Sequence, residues 1–185
     1  METASINRST HRRPPSERAR AAMVRVDQAG EYGATRIYAG QIAMLGDCGP
    51  GARQIAHMAA QEDRHLAWFN AAVPMRGVRP TLLQPVWNVA GFALGAVTAA
   101  IGPEAAMACT VAVETEIDRH YSQQLDELGD CDPDLSAAIS DFQAEELEHK
   151  AHALAAGAER APAYPLMSFI IRAGCRAAIA LSHRL

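Results

Sequence analysis

Two Glu-x-x-His pairs stand out of the sequence: Glu62 and His65 in AAQEDRHLAWF, and Glu146 and His149 in AEELEHKAH. Three residues apart on a helix of 3.6 residues per turn, a carboxylate and an imidazole project from one face and can grip one cation. Both segments are rich in Ala and other good helix formers, so the helical spacing is the relevant one. A dinuclear carboxylate site in a four-helix bundle takes such a pair from two helices and one further Glu from each of the other two. Glu31, in VDQAGEYGATRIYAG, and Glu114, in ACTVAVETEID, fill those places by their offsets. Glu31 and Glu114 are 83 residues apart, while Glu62 and Glu146, like His65 and His149, are 84 apart.

The turns supply a geometric check, because residues facing each other across an antiparallel helical hairpin lie about equally far from its loop. Midway between Glu31 and Glu62 the sequence reads GDCGPG, and midway between Glu114 and Glu146 it reads GDCDP. Both midpoints fall on Gly/Pro breakers. The expected metal ligands are therefore Glu31, Glu62, His65, Glu114, Glu146 and His149. Carboxylates mixed with imidazole suit iron or manganese, and no Cys lies near enough for a structural zinc cage.

Other polar residues carry weaker signals. His120 lies six residues past Glu114, about 240° around the helix, and is expected to point away from the metals. Asp27 and Asp118, one turn from Glu31 and Glu114, could orient ligand imidazoles or form surface salt bridges. His152, one turn past His149, reads as a surface residue. Tyr32, Tyr38, Tyr121 and Tyr164 read as core packing, with contact to a substrate or electron relay as the functional alternative.

The elements that must position these residues are helical. A hydrophobic content of 49% with only 5% aromatic fits an all-α bundle, and a net charge of −4 argues against nucleic acid as a partner. Cys48, Cys109, Cys131 and Cys175 include no Cys-x-x-Cys and read as reduced thiols. Residues 1–15 are expected to form a disordered basic arm, with residues 16–185 a single domain. Ser16 is placed to cap a first helix running to about Leu45, in which Gly30 and Gly33 flank Glu31 and suggest close approach of a backbone or ligand. A second helix is expected from Ala52 to about Val73, ending before Pro74, a third starting after Gly102-Pro103 and ending near Leu128, and a fourth from about Pro133 to Ala158 with Asp132 as its cap.

From Pro80 to Pro103 there are 24 residues without a charge, long enough to cross a bilayer. The stretch nevertheless connects the two halves of the site, and a crossing would leave those halves on opposite sides. The expectation is a helix lying in one leaflet or against the bundle. Leu166 to Leu185 reads as an amphipathic helix with Arg172 and Arg176 on one side and Phe169 and Ile170 on another, suited to a membrane interface, a partner's groove or the uncharged segment.

The segments RVDQAGEYGATRIYAGQ, VWNVAGFALGAVTAAIGPEAAMACTVAVE, EELEH and APAYPLMSFIIRAGCRAAIALSHRL resemble the Coq7/Clk-1 family, the demethoxyubiquinone hydroxylases of ubiquinone biosynthesis. The likeness runs from about Arg20 to Leu185; Gln28 departs from it, standing where the family often has His. It implies a ferritin-like four-helix bundle with additional membrane-associated apolar and amphipathic helices, and an O2-dependent di-iron monooxygenase. Glu62 and Glu146 would bridge two iron ions, with Glu31 and His65 completing one and Glu114 and His149 the other. The implied reaction adds one oxygen atom to the ring of a demethoxyubiquinol carrying a polyprenyl tail, with NADH as a candidate electron donor. Implied partners are a membrane surface and either another ubiquinone-biosynthesis protein or a second copy of the chain. The implied location is the cytoplasmic face of a bacterial inner membrane, or the matrix side of the mitochondrial inner membrane. The alternatives are a ferritin-like iron-oxidising or peroxide-scavenging protein, a metal-free helical adaptor, and a soluble hydroxylase acting on tRNA or a carrier-bound acyl chain.

Overall fold

The computed structural model describes residues 14–46 and 51–185. Most of the basic arm and the middle of the first loop therefore lie outside the described residues. Within them all regular structure is helical: α1 (Glu17–Leu45), α2 (Ala52–Met75), α3 (Gln84–Ile101), α4 (Pro103–Leu128), α5 (Pro133–Ala155), a short 3-10 turn (Ala158–Arg160) and α6 (Tyr164–Arg184). The first and second helices form one hairpin and the fourth and fifth another, and the two hairpins pack into a four-helix bundle. The third helix, which joins the hairpins, lies along the first, and the sixth lies against the fourth and first.

Local chemistry sets the ends of these helices. Ser16 accepts from the Ala19 N–H and Asp132 from the Leu135 N–H, so both expected caps are in place. Asp132 also binds Arg76, its carboxylate 3.0 Å from Nη2, which ties the start of the fifth helix to the end of the second. Pro74 does not stop the second helix as expected. It sits in the last turn, where a missing N–H costs one bond only, and the Arg76 N–H still donates to the Ala72 carbonyl at 2.9 Å. The fifth helix stops short of the expected Ala158 because Gly157 turns left-handed at φ 96°.

Two apolar plugs fill the bundle. Met23, Val24, Phe69, Tyr121, Leu135, Ile139 and Phe142 pack at one end. Tyr38, Ile55, Met58, Met107, Val111 and Ala153 pack at the other. Between them each bundle helix carries one or two of the six polar residues singled out above.

The closest helix contact lies elsewhere than the sequence suggested. Gly33 has no neighbour within 4 Å of where a Cβ would stand, and Gly30 has only the end of Ile117. Gly40, Gly91 and Gly95 instead let the first and third helices touch backbone to backbone. A Cβ on Gly95 would overlap the Ile37 carbonyl, and one on Gly91 would stand 2.9 Å from the Gly33 carbonyl. Small residues four apart are what such an approach requires. Gly95→Ala is expected to push the third helix off the first and cost about 1–3 kcal/mol, the range for overpacking, read as a lowered chemical-denaturation midpoint. Gly33→Ala, with open space around it, is expected to leave the midpoint unchanged or slightly raised.

Candidate metal centre

All six residues converge at mid-bundle, and none is more than 3% exposed. They form two overlapping sets. Donor atoms of Glu31, Glu62, His65 and Glu146 lie within 4.8 Å of one another, and so do those of Glu62, Glu114, Glu146 and His149. Glu62 and Glu146 belong to both. The imidazoles turn the same edge inward: His65 Nδ1 lies 3.2 Å from Glu146 and 3.5 Å from Glu31, and His149 Nδ1 lies 3.0 Å from Glu146 and 3.3 Å from Glu62.

This donor set fits a cation better than it fits itself. Both oxygens of Glu62 and Nδ1 of His65 are buried without a hydrogen-bond partner, an expensive condition that coordination would relieve. Two carboxylates 4 Å apart repel by roughly 4 kcal/mol at an effective dielectric of 20. Burial, reinforced by the charge of Glu146, pushes Glu62 and Glu114 well above the ordinary carboxylate range. Glu146 behaves oppositely: burial favours its protonated form, but His149 and His65 override that and hold it down to about 2. His65, whose burial alone would discharge it, is held up to about 10 by Glu146 and Glu31. Without metal the site holds protons in place of cations, and four carboxylates match the charge of two divalent ions.

Tyrosine hydroxyls brace the outer carboxylates. Tyr38 donates to Glu114 at 3.3 Å and Tyr121 donates to Glu31, both across the bundle. Outer edges of the imidazoles are also engaged: Nε2 of His65 lies 3.0 Å from Glu145, and Nε2 of His149 lies 3.0 Å from the amide oxygen of Gln61. The aspartates offered for that role do other work. Asp27 accepts from Gln124 at 2.8 Å and lies 3.1 Å from His120, and Asp118 accepts from Gln143 at 2.7 Å. One turn along a helix keeps Asp27 and Asp118 on their own helices' faces, whereas the imidazoles belong to the other two. His120 is outside the cluster and His152 is exposed, as expected.

The sequence held a signal for the supporting residues. Tyr38 and Tyr121 are 83 residues apart, like Glu31 and Glu114, and Gln61 and Glu145 are 84 apart, like Glu62 and Glu146. Carrying the ligand offset to neighbouring positions would have found both pairs.

Beside the centre, an apolar cleft of about 380 Å³ opens between the third and sixth helices, with the first and fourth as its floor. Gly30 and Gly33 line it on either side of Glu31, and Val113 lines it next to Glu114. Trp87 Nε1 donates to Ser182 at 3.1 Å and ties the two walls at one end.

Residues 18–182 match the sequence profile of the family described as "Ubiquinone biosynthesis protein COQ7". The chain belongs to this family. It is 50% identical over 185 residues to a Rhodospirillum rubrum protein named 3-demethoxyubiquinol 3-hydroxylase, covering 98% of this chain and 87% of that one. A human relative, 53% identical over 88% of this chain and 76% of its own, is named NADPH-dependent 3-demethoxyubiquinone 3-hydroxylase, mitochondrial. A Saccharomyces cerevisiae relative, 41% identical over 88% of this chain and 77% of its own, is named 5-demethoxyubiquinone hydroxylase, mitochondrial. Membership accounts for the likeness in stretches that carry none of the six residues.

The protonation pattern predicts how this COQ7-family chain responds to pH without metal. A carboxyl raised in the folded state binds its proton more tightly there than in the unfolded chain, so Glu62 and Glu114 contribute stability that fades as pH rises above the ordinary carboxylate value. His65 has the same sign: its contribution is full below about 6.5 and is lost as pH climbs towards about 10. Chelator-treated protein is therefore expected to melt at progressively lower temperature from pH 6.5 to 9, and protein loaded with divalent metal to hold its melting temperature. Scanning calorimetry across that range checks it. Parallel curves for the two forms would mean that the cluster does not take up metal.

Proposed function

We propose that this chain is a di-iron monooxygenase that hydroxylates the ring of demethoxyubiquinol in ubiquinone biosynthesis. The observation that carries the proposal is the pairing of two buried four-residue donor sets, sharing Glu62 and Glu146, with an apolar cleft on the other side of the first and fourth helices, lined by Gly30, Gly33 and Val113. Glu31, Glu62, His65 and Glu146 would hold one iron, and Glu62, Glu114, Glu146 and His149 the other. When bound, the iron pair supplies the activation of O2, one atom of which enters the ring and the other leaves as water.

The chain's own residues do the rest. Glu62 and Glu146, with two oxygens each and no competing hydrogen bond on Glu62, are free to change how they share their charge between the two positions. Tyr38 and Tyr121 fix Glu114 and Glu31 and hold protons at their hydroxyls: burial raises both phenols well above their ordinary range, with Glu114 adding to it at Tyr38 and Glu31 at Tyr121. Gly30 and Gly33 leave room for a flat ring in the cleft, whose lining is almost wholly apolar. A cleft of this size holds a quinol head and the start of a tail, so the remaining tail must lie outside the protein.

That tail points to a bilayer. The third helix exposes Val86, Val89, Val97 and Ile101, and the sixth exposes Leu166, Phe169, Ile170 and Leu181. Gln84–Ile101 and Tyr164–Arg184 are each long and apolar enough to cross a membrane. Their packing on the bundle favours a docked protein, lying on the inner membrane's cytoplasmic face, or on its matrix side in mitochondria. Two of the three arginines of the sixth helix turn inward instead of towards lipid headgroups, since Arg172 and Arg176 both donate to buried Glu116, at 2.7 and 2.8 Å, while Arg184 stays exposed. Insertion of one oxygen atom needs two electrons and two protons per O2. The human relative's name points to NADPH as the electron donor, a nicotinamide like the NADH expected from the resemblance.

Anaerobic, iron-loaded protein in detergent, given demethoxyubiquinol and then O2, is expected to yield quinone heavier by one oxygen on mass analysis, and Glu62→Ala to yield none. Iron oxidation with the quinone unchanged would favour an oxidant sink. In liposome flotation, Val89→Asp combined with Phe169→Asp is expected to leave the protein in solution while wild type floats. Equal flotation of both would remove the membrane route for the tail.

A further inference from the structure

The two imidazoles of the centre are backed by different acceptors. Glu145 faces Nε2 of His65 at 3.0 Å, and Arg64 pairs with Glu145 from the solvent side. Gln61 offers its neutral amide oxygen to Nε2 of His149, also at 3.0 Å. Each acceptor stands immediately before a shared carboxylate, Gln61 before Glu62 and Glu145 before Glu146, and each reaches across to the other hairpin's histidine. The two contacts correspond in position, atom and distance, and differ in charge. The tyrosines introduce no comparable difference, since a phenol braces the outer carboxylate in both halves.

Charge on the acceptor matters to whatever the imidazole binds. An Nε2–H that donates to a carboxylate leaves more electron density on Nδ1, the inward atom, than one that donates to an amide, and also fixes the ring more firmly. Glu145 is itself paired with the Arg64 guanidinium, a charge partner that Gln61 has no use for. Packing adds to the difference: His65 is stacked on Phe142 with ring centres 4.2 Å apart, whereas His149 meets Tyr38 edge-on at 6.3 Å.

We propose that Glu145 and Gln61 make the two cation positions unequal, so that the position of Glu31, Glu62, His65 and Glu146 fills first and holds a divalent ion more tightly than the position of Glu62, Glu114, Glu146 and His149. This rests on the metal-centre reading above and assigns an order within it. Glu145 and Gln61 are positioning residues: they touch neither ion and act through the imidazoles.

Full-length metal-free protein in detergent, titrated with Co(II) and followed by the hyperfine-shifted imidazole N–H resonances in proton NMR, tests this directly. One shifted N–H is expected with the first equivalent, identified as that of His65 by its displacement in Glu145→Gln. A second is expected only with the second equivalent, at a dissociation constant about 10- to 100-fold higher, the usual scale for loss of an imidazole's supporting partner. Glu145→Gln is expected to weaken the first step and draw the two constants together, and Gln61→Glu to draw them together by tightening the second. General damage to the fold cannot produce both changes, because one weakens binding and the other strengthens it. Two N–H signals growing in parallel in the wild type, or Glu145→Gln weakening both steps alike, would overturn the inequality while leaving the metal centre standing. Absence of any Co(II) uptake would overturn both.

Discussion

Four carboxylates buried within a few ångströms of one another repel, and the polypeptide answers them with two imidazoles. The Arg64 guanidinium stops at Glu145, on the solvent side. The apolar plugs above and below the centre hold the four helices at a spacing that the charges alone would open, and they exclude the water that would otherwise screen the repulsion. Without metal, Glu62 and Glu114, whose carboxyls burial pushes well above the ordinary range, relieve it by keeping protons. Divalent cations relieve it more completely, because each meets several oxygens at once. The bracing tyrosines follow from the same constraint: a carboxylate that cannot reach water takes a hydroxyl.

The six clustered residues and the two hairpins were legible in the sequence, because helical spacing and equal distance from a loop are arithmetic that survives without coordinates. Ser16 and Asp132 were legible as caps for a related reason, since capping depends on neighbours three residues away. What the sequence concealed was contact between helices. Asp27 and Asp118 lie one turn from outer carboxylates and look like natural supports for the histidines, but those histidines sit on other helices and find Gln61 and Glu145. Pro74 looks like a stop, yet a proline in a last turn removes only one bond. Gly30 and Gly33 look like contact points because they flank Glu31; the backbones meet at Gly40, Gly91 and Gly95, a register that depends on how two helices cross.

That crossing has consequences for the cleft. The third helix is held by glycines against the first, so one wall is fixed by backbone contact. The sixth helix buries little of itself and is held by side chains: Ile171, Met167 and Cys175 packed on the fourth helix, two arginines on Glu116, and Ser182 on Trp87. The walls thus differ in stiffness, and the softer one carries the exposed Phe169 and Ile170. An apolar molecule approaching the cleft therefore meets one wall fixed by backbone contact and one joined to the bundle mainly by side chains.

The internal repeat has a further meaning for how the protein comes into being. Each hairpin supplies an outer carboxylate and a Glu-x-x-His pair, and each four-residue donor set draws on both hairpins. Neither half can close a coordination sphere alone. A chain emerging from the ribosome exposes the first hairpin without a competent ion site, and the third helix, one wall of the cleft, is made before the second hairpin can dock. Both four-residue sets are therefore complete only once the two hairpins have docked, with one wall of the cleft already made.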